Sequence, residues 1–156
     1  MLDTNVKGLL TELQVQQAFI SRGFGVSVPL NPSARYDMIV DAFGGLFKVQ
    51  VKTASPDSDC SFKIYTQSVH KINGKWDHKR YDESEVDLFA TVYDDRVYVI
   101  PQSVVEDRSQ LTLRTSEPLN GQASNIHFAK DYELDNVVNN WNKLSDTSKQ
   151  YPMLEL

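Results

Sequence analysis

Arg35-Tyr-Asp-Met-Ile-Val-Asp-Ala-Phe-Gly-Gly-Leu-Phe-Lys-Val-Gln-Val-Lys-Thr53 is the stretch on which the reading of this chain turns. Two runs, Arg35 to Asp41 and Leu46 to Thr53, flank the turn Asp41-Ala-Phe-Gly-Gly45, a pattern that predicts a β-hairpin. In the second strand Phe47, Val49 and Val51 alternate with Lys48, Gln50 and Lys52, so one set faces a core and the other makes a polar face. Gln50 and Lys52, two residues apart, point the same way, and Asp37 stands at the start of the partner strand.

Working outward, Thr4 to Arg22 carries apolar residues at Val6, Leu9, Leu10, Leu13 and Phe19 behind a possible Thr4 or Asn5 cap, which predicts an amphipathic helix. Gly23 suits a left-handed C-terminal cap, and Gly25 to Pro29 reads as extended before a loop rich in Asn, Pro and Ser. Downstream, Ala54 to Ser61 reads as a polar loop, Phe62 to Thr66 as a strand and His70 to Arg80 as irregular. A second hairpin is expected from Val86 to Tyr93 and Arg96 to Ile100, joined at Asp94-Asp95 and stopped by Pro101. A short helix at Gln102 to Asp107, a strand at Leu111 to Arg114 and a longer helix at Asp131 to Leu144 complete an α/β or α+β sheet protein. Residues 1–150 are expected to form one domain, with 151–156 a flexible tail.

The 156 residues, 40% hydrophobic and 24% charged, suffice for one buried core. Cys60 stands alone, so no intramolecular disulfide forms and a reducing, cytoplasmic location is expected. No apolar run approaches the roughly 20 residues of a membrane span. The net charge of −5 argues against a polyanionic partner, but its distribution argues back. Residues 61–80 hold Lys63, Lys71, Lys75, Lys79 and Arg80 against the single acid Asp77, a local +4, interleaved with His70, Trp76 and His78. Such a mixture suits phosphate contacts with stacking or base contacts, although a short basic run on its own reads more readily as a solvated surface loop.

Three features coincide in the first third of the chain: Glu12 on the first helix, Asp37, and Gln50-Val51-Lys52. Asp37 and Glu12 form a carboxylate pair of the kind that holds Mg²⁺, which takes oxygen ligands; the Gln50 amide oxygen and the Val51 main-chain carbonyl are further candidates. Such an ion acts as a Lewis acid on a phosphate and lowers the pKa of a bound water. Lys52 would orient or activate that water, or stabilise charge building on the phosphate. Taken singly, Gln50 and Lys52 are what any solvent-facing strand shows, and Asp37 could cap a turn; the order in which the residues occur carries the reading.

That order resembles a known family. Gly8-x-x-x-Glu12 on an N-terminal helix, then Arg35-Tyr36-Asp37, then Val49-Gln50-Val51-Lys52-Thr53, looks like the PD-(D/E)xK nucleases of restriction fold. Its small members, the archaeal Holliday-junction resolvases and the homing endonucleases of bacterial group I introns, are the most similar. The later pattern Tyr81 to Asp87-Leu-Phe-Ala and Val97-Tyr-Val-Ile-Pro101 resembles the intron-encoded group. The resemblance implies a mixed central sheet flanked by helices and a site-specific endonuclease on double-stranded DNA that uses Mg²⁺ or another divalent cation such as Mn²⁺. A junction resolvase or a catalytically inactive DNA-binding module are the alternatives. The resemblance implies that Asp37 binds metal, Glu12 adds a contact, Gln50 takes the second acidic position and Lys52 assists the water. Tyr36 replaces the motif's proline without touching the chemistry, whereas Gln50 replaces a carboxylate and lowers the negative charge available to a cation.

The expected DNA contacts are Lys63, Ser68, Lys71, Lys75, His78, Lys79 and Arg80, with Arg35 from the loop before Asp37. A chain this small spans only part of a long target, so a homo-oligomer, dimer or tetramer, is expected.

Overall fold

The computed structural model describes residues 1–122 and 124–141. Helix α1 (Thr4–Ser21) leads into β1 (Gly25–Ser27), β2 (Met38–Ala42) and β3 (Gly45–Val51). β4 (Ser55–Ser58), β5 (Ser61–Tyr65), β6 (Gln67–Ile72) and β7 (Lys75–Arg80) follow, then β8 (Leu88–Tyr93) and β9 (Arg96–Pro101). α2 (Gln102–Val105), β10 (Gln110–Arg114), α3 (Ala129–Tyr132) and α4 (Leu134–Asn139) close the described chain.

The central sheet is five-stranded and mixed, in the order β1-β2-β3-β8-β9, with β3 and β8 parallel and the other pairs antiparallel. Phe43 and Gly44 both take positive φ, which closes β2 and β3 through a two-residue turn of the kind whose twist matches a hairpin. Asp94 and Asp95 do the same between β8 and β9. Within the parallel pair Leu88 to Thr91 of β8 are buried on both faces, whereas β3 buries Phe47, Val49 and Val51 and leaves Lys48 and Gln50 only partly covered. Val15 and Phe19 of α1 pack with Val40, Val49, Val51, Leu88 and Val99 on one side of the sheet. Phe89, Tyr98 and Ile100, which alternate with those residues, pack on the other side against Phe62, Ile64, Leu111 and Leu113 of the three-stranded sheet β10-β5-β4.

Four expectations need correcting. Residues 70–80, read as irregular, instead form with Gln67–Val69 the two-stranded ribbon β6-β7, paired from Gln67↔Arg80 to Ile72↔Lys75 around Asn73-Gly74, both at positive φ. Ala54 to Ser61, read as a loop, contains the edge strand β4, where Pro56 is tolerated. The single long helix expected from Asp131 breaks at Glu133, which bridges Tyr98 in extended conformation, leaving α3 and α4; its stretch beyond Trp141 lies outside the described residues, as does the expected tail. Finally, α1 is capped by Asp3, whose side chain accepts the Asn5 N–H at 2.7 Å, rather than by Thr4 or Asn5. Its packed face is Thr11, Val15 and Phe19, while Val6, Leu9, Leu10 and Leu13 remain about half exposed. Among the described residues no helix is long and apolar enough to cross a membrane.

Candidate active site

The residues singled out near the hairpin meet where β3 ends. Asp37 lies just before β2, and its backbone N–H donates to the Val49 carbonyl at 2.9 Å. Its side-chain Oδ2 accepts the Val51 N–H at 2.7 Å, which aims the carboxylate along the last turn of the pleat. Lys52 continues β3 by donating its N–H to the Ala90 carbonyl of β8 at 2.8 Å. The parallel β3-β8 pairing thus fixes where both side chains leave the sheet. Glu12 reaches toward the same place from α1, close enough for its carboxyl to feel the Asp37 charge.

Burial sets the electrostatics. Desolvation pushes the Asp37 carboxyl above its usual range, against the opposing pull of the Val51 N–H and the Lys52 ammonium. Glu12 is raised too, first by burial and then by the Asp37 charge. Lys52 is pushed from its ordinary 10.5 down to about 8, mainly by desolvation, with Arg35 pushing the same way and Asp37 opposing. Two carboxyls and an amine, all held away from their solution values in one cluster, are what a site built for proton and charge management looks like.

The ammonium of Lys52 is also held. Its Nζ donates to the Gln67 carbonyl at 3.2 Å and to the Tyr81 hydroxyl at 3.1 Å, and it lies 4.7 Å from the centroid of the Tyr81 ring. The Arg35 guanidinium sits over the same ring at 4.1 Å. Tyr81 is itself fixed through its carbonyl, which accepts the Gln102 side-chain amide at 2.9 Å. Nothing in the sequence marks Tyr81 for this part: it lies 29 residues from Lys52, and no spacing rule connects them.

Oxygen donors suited to a hard cation are Asp37, Glu12, the Val51 carbonyl and Gln50. Gln50 Nε2 lies 3.4 Å from the Val51 carbonyl oxygen, so the amide and that carbonyl address one point; a flipped amide would present Oε1 there, an arrangement that a cation between the two oxygens stabilises. Among the described residues no group of three or more His, Cys, Asp and Glu gathers as a metal cluster. A separate cleft, lined by Gln17, Arg22, Arg96 and Glu133, contains none of these groups.

Of the expected DNA contacts, Ser68, Lys71, Lys75, His78, Lys79 and Arg80 all sit on the β6-β7 ribbon, whose Gln67 end abuts Lys52. Alternation puts Lys71, Trp76, His78 and Arg80 on one face and Ser68, His70, Lys75 and Lys79 on the other. Lys63, on β5, pairs with Asp57 at 3.2 Å. Arg35 anchors the ribbon's base: it pairs with Glu85 at 3.2 Å and donates to the Ser68 hydroxyl at 2.8 Å and the Arg80 carbonyl at 3.0 Å. Glu85 in turn receives Lys79 at 3.1 Å.

Comparison with known proteins bears on this arrangement. A family model for PD-(D/E)XK endonucleases matches residues 2–135. Protein 5.3 of Escherichia phage T7 is 24% identical over 112 residues, which is 71% of this chain and 91% of that protein. A solved structure described as a bacterial homing endonuclease, I-Ssp6803I, superposes with a TM-score of 0.70 at 18% identity, covering 94% of this chain and 100% of that one, a likeness of fold.

Proposed function

The chain belongs to the PD-(D/E)XK endonuclease family, and from that membership we propose that it is a site-specific, divalent-metal-dependent endonuclease of double-stranded DNA, of the homing type. The observation that carries the reading is the convergence of Asp37, Glu12, Gln50 and Lys52 at the end of β3, with the Lys52 amine brought to about 8. Asp37 and Glu12, with the Val51 carbonyl and Gln50, are the residues that would hold Mg²⁺ or Mn²⁺. When bound, such an ion supplies Lewis-acid polarisation of the scissile phosphate and a water of lowered pKa. Lys52, steadied by Tyr81 and the Gln67 carbonyl, meets the attacking water or the charge building on the phosphate, and near neutral pH its amine can serve in either protonation state.

The ribbon supplies DNA contact. Six residues per strand at roughly 3.4 Å each make a projection of about 20 Å, and a two-stranded ribbon fits the major groove. β7 is exposed along its whole length, and Lys71, Lys75, His78 and Arg80 bring charge and hydrogen-bond donors to phosphates and base edges. Because its base rests on Lys52, the ribbon sets the distance between the bases read and the bond cut. The protein acts as a homo-oligomer on intracellular DNA in a bacterial or phage setting.

The test is cleavage of a randomised linear duplex library, and of a four-way junction, with Mg²⁺ or with EDTA. Wild type, Asp37→Ala and Lys52→Ala are compared. Metal-dependent cutting of the duplex at defined positions, lost in both variants, is expected. Preference for the junction turns the reading toward a resolvase; cutting by either variant at the wild-type rate removes the assigned site.

A further inference from the structure

We propose that the Gln67 and His78 side chains act as one unit that reads the adenine of an A·T pair in the major groove, close to the bond that is cut. This rests on the reading of the chain as a nuclease of double-stranded DNA, and it names a base contact which that reading leaves open. Gln67 Nε2 lies 2.9 Å from His78 Nδ1; the two residues are diagonal neighbours on one face of the β6-β7 ribbon. With the amide donating, His78 Nδ1 accepts and the ring proton stays on Nε2, which leaves Gln67 Oε1 as a free acceptor beside a donor at His78 Nε2. With the amide turned over, Nδ1 donates to Oε1, and the free acceptor is His78 Nε2 beside the Gln67 amide N–H. In either state the pair keeps an acceptor next to a donor. Of the four bases, adenine alone offers the match, a donor at N6 and an acceptor at N7. Guanine offers two acceptors and sets one of them against the pair's own; cytosine and thymine each offer one group.

The surroundings fit that role. Gln67 and His78 share their face with Val69, Lys71, Trp76 and Arg80, whereas the ribbon's one acid, Asp77, lies on the other. The other face is also the tethered one: Ser68 accepts the Arg35 guanidinium at 2.8 Å, and Lys79 pairs with Glu85 at 3.1 Å. Val69, directly across the ladder from His78, is 43% exposed and sets an apolar group beside the pair, suited to the 5-methyl of thymine that only an A·T pair displays. The bond between Gln67 and His78 already fixes both side chains, so little rotamer freedom remains to be lost when a base docks. Position ties the contact to the chemistry. The Gln67 carbonyl accepts Lys52 Nζ at 3.2 Å, so at a rise of about 3.4 Å per base pair the adenine lies within about three base pairs of the scissile phosphate.

Selection of bound duplexes from a randomised library by the full chain, with Ca²⁺ in place of Mg²⁺, tests this; cleavage of the selected duplex with Mg²⁺ is mapped in parallel, and circular dichroism checks the fold. Wild type is expected to select an A·T pair within about three base pairs of the cut, over G·C by about 10- to 100-fold. Gln67→Ala and His78→Ala are each expected to reduce that preference to about threefold or less while the choice of bases elsewhere in the site persists. His78→Arg brings a fork of donors that matches guanine, and it should turn the preference at this one position toward G·C, a change of choice that a damaged fold cannot produce. A wild type that selects no A·T pair there, or variants that keep its A·T preference, overturn the proposal. Selection through Gln67 and His78 without any cutting refutes the nuclease reading alone. Cutting at defined sites with a base choice that these variants leave unmoved refutes this inference alone.

Discussion

Replacing Lys52 by Met should make the metal-free protein more stable while abolishing its activity. Burial holds the Lys52 amine at about 8 instead of 10.5, a depression of about 2.5 units at 1.36 kcal/mol each, so carrying the ammonium costs the fold about 3 kcal/mol. Met removes that cost but forfeits the hydrogen bonds to the Gln67 carbonyl and the Tyr81 hydroxyl, about 1 kcal/mol apiece. The net expectation at pH 7 is a gain of about 1–2 kcal/mol. The sign depends on pH. Below about 8 the amine is charged in both folded and unfolded chains and the cost is fully present. Between 8 and 10.5 the folded protein has lost the proton that the unfolded chain retains, so wild-type stability rises with pH and the variant's advantage shrinks and then reverses, to a deficit of about 1 kcal/mol at pH 10 set by the forfeited hydrogen bonds. Urea denaturation at pH 7 and pH 10 with EDTA measures both, and cleavage with Mg²⁺ should fall by about 10²–10⁴-fold. A variant less stable than wild type at pH 7, or one whose advantage is the same at pH 10, would show that desolvation of Lys52 is not what lowers its pKa.

Three further outcomes follow from the same geometry. Because the Asp37 and Glu12 carboxyls are held above their usual range, a cation must displace protons from them as the pH drops. Mn²⁺ affinity by calorimetry should therefore start to fall at a higher pH than ordinary carboxylates would impose, and the same profile for wild type and Asp37→Ala would place the cation elsewhere. Gln50→Glu restores a carboxylate at the end of β3 and should tighten Mn²⁺ binding about tenfold, read in the same calorimeter; unchanged affinity would mean that Gln50 does not touch the ion. Arg35→Ala removes the pair with Glu85 and the hydrogen bonds to Ser68 and Arg80, and should destabilise by about 1–3 kcal/mol. Amide exchange in β6 and β7 should rise well above that in β2 and β3; an equal rise everywhere would assign Arg35 to global stability alone.

Much of the fold was legible where burial imposes a period. Phe47, Val49 and Val51 line the core in strict alternation, the β2-β3 hairpin closes at Phe43-Gly44, and β9 ends at Pro101 as the sequence leads one to expect. The ribbon was not legible, although Asn73-Gly74 is a strong hairpin signal: β7 has no buried residue, so no apolar alternation marks it as a strand. The long helix expected from Asp131 breaks because Glu133 is drawn into a bridge with Tyr98, a contact no local propensity encodes.

By itself the sequence determined the family, the order of the site residues and the elements that carry them, because side-chain chemistry and the two-residue period of a half-buried strand are local properties. Tertiary structure alone decided which apolar side of α1 packs, since the helix bears two and only the sheet's shape selects Val15 and Phe19 over Leu9 and Leu13. It also decided that Tyr81 and the Gln67 carbonyl hold Lys52 and that the ribbon rises from that point. Those are contacts across 15 and 29 residues of chain, set by how β3, β6 and β8 come together, and nothing in the spacing of the residues records them.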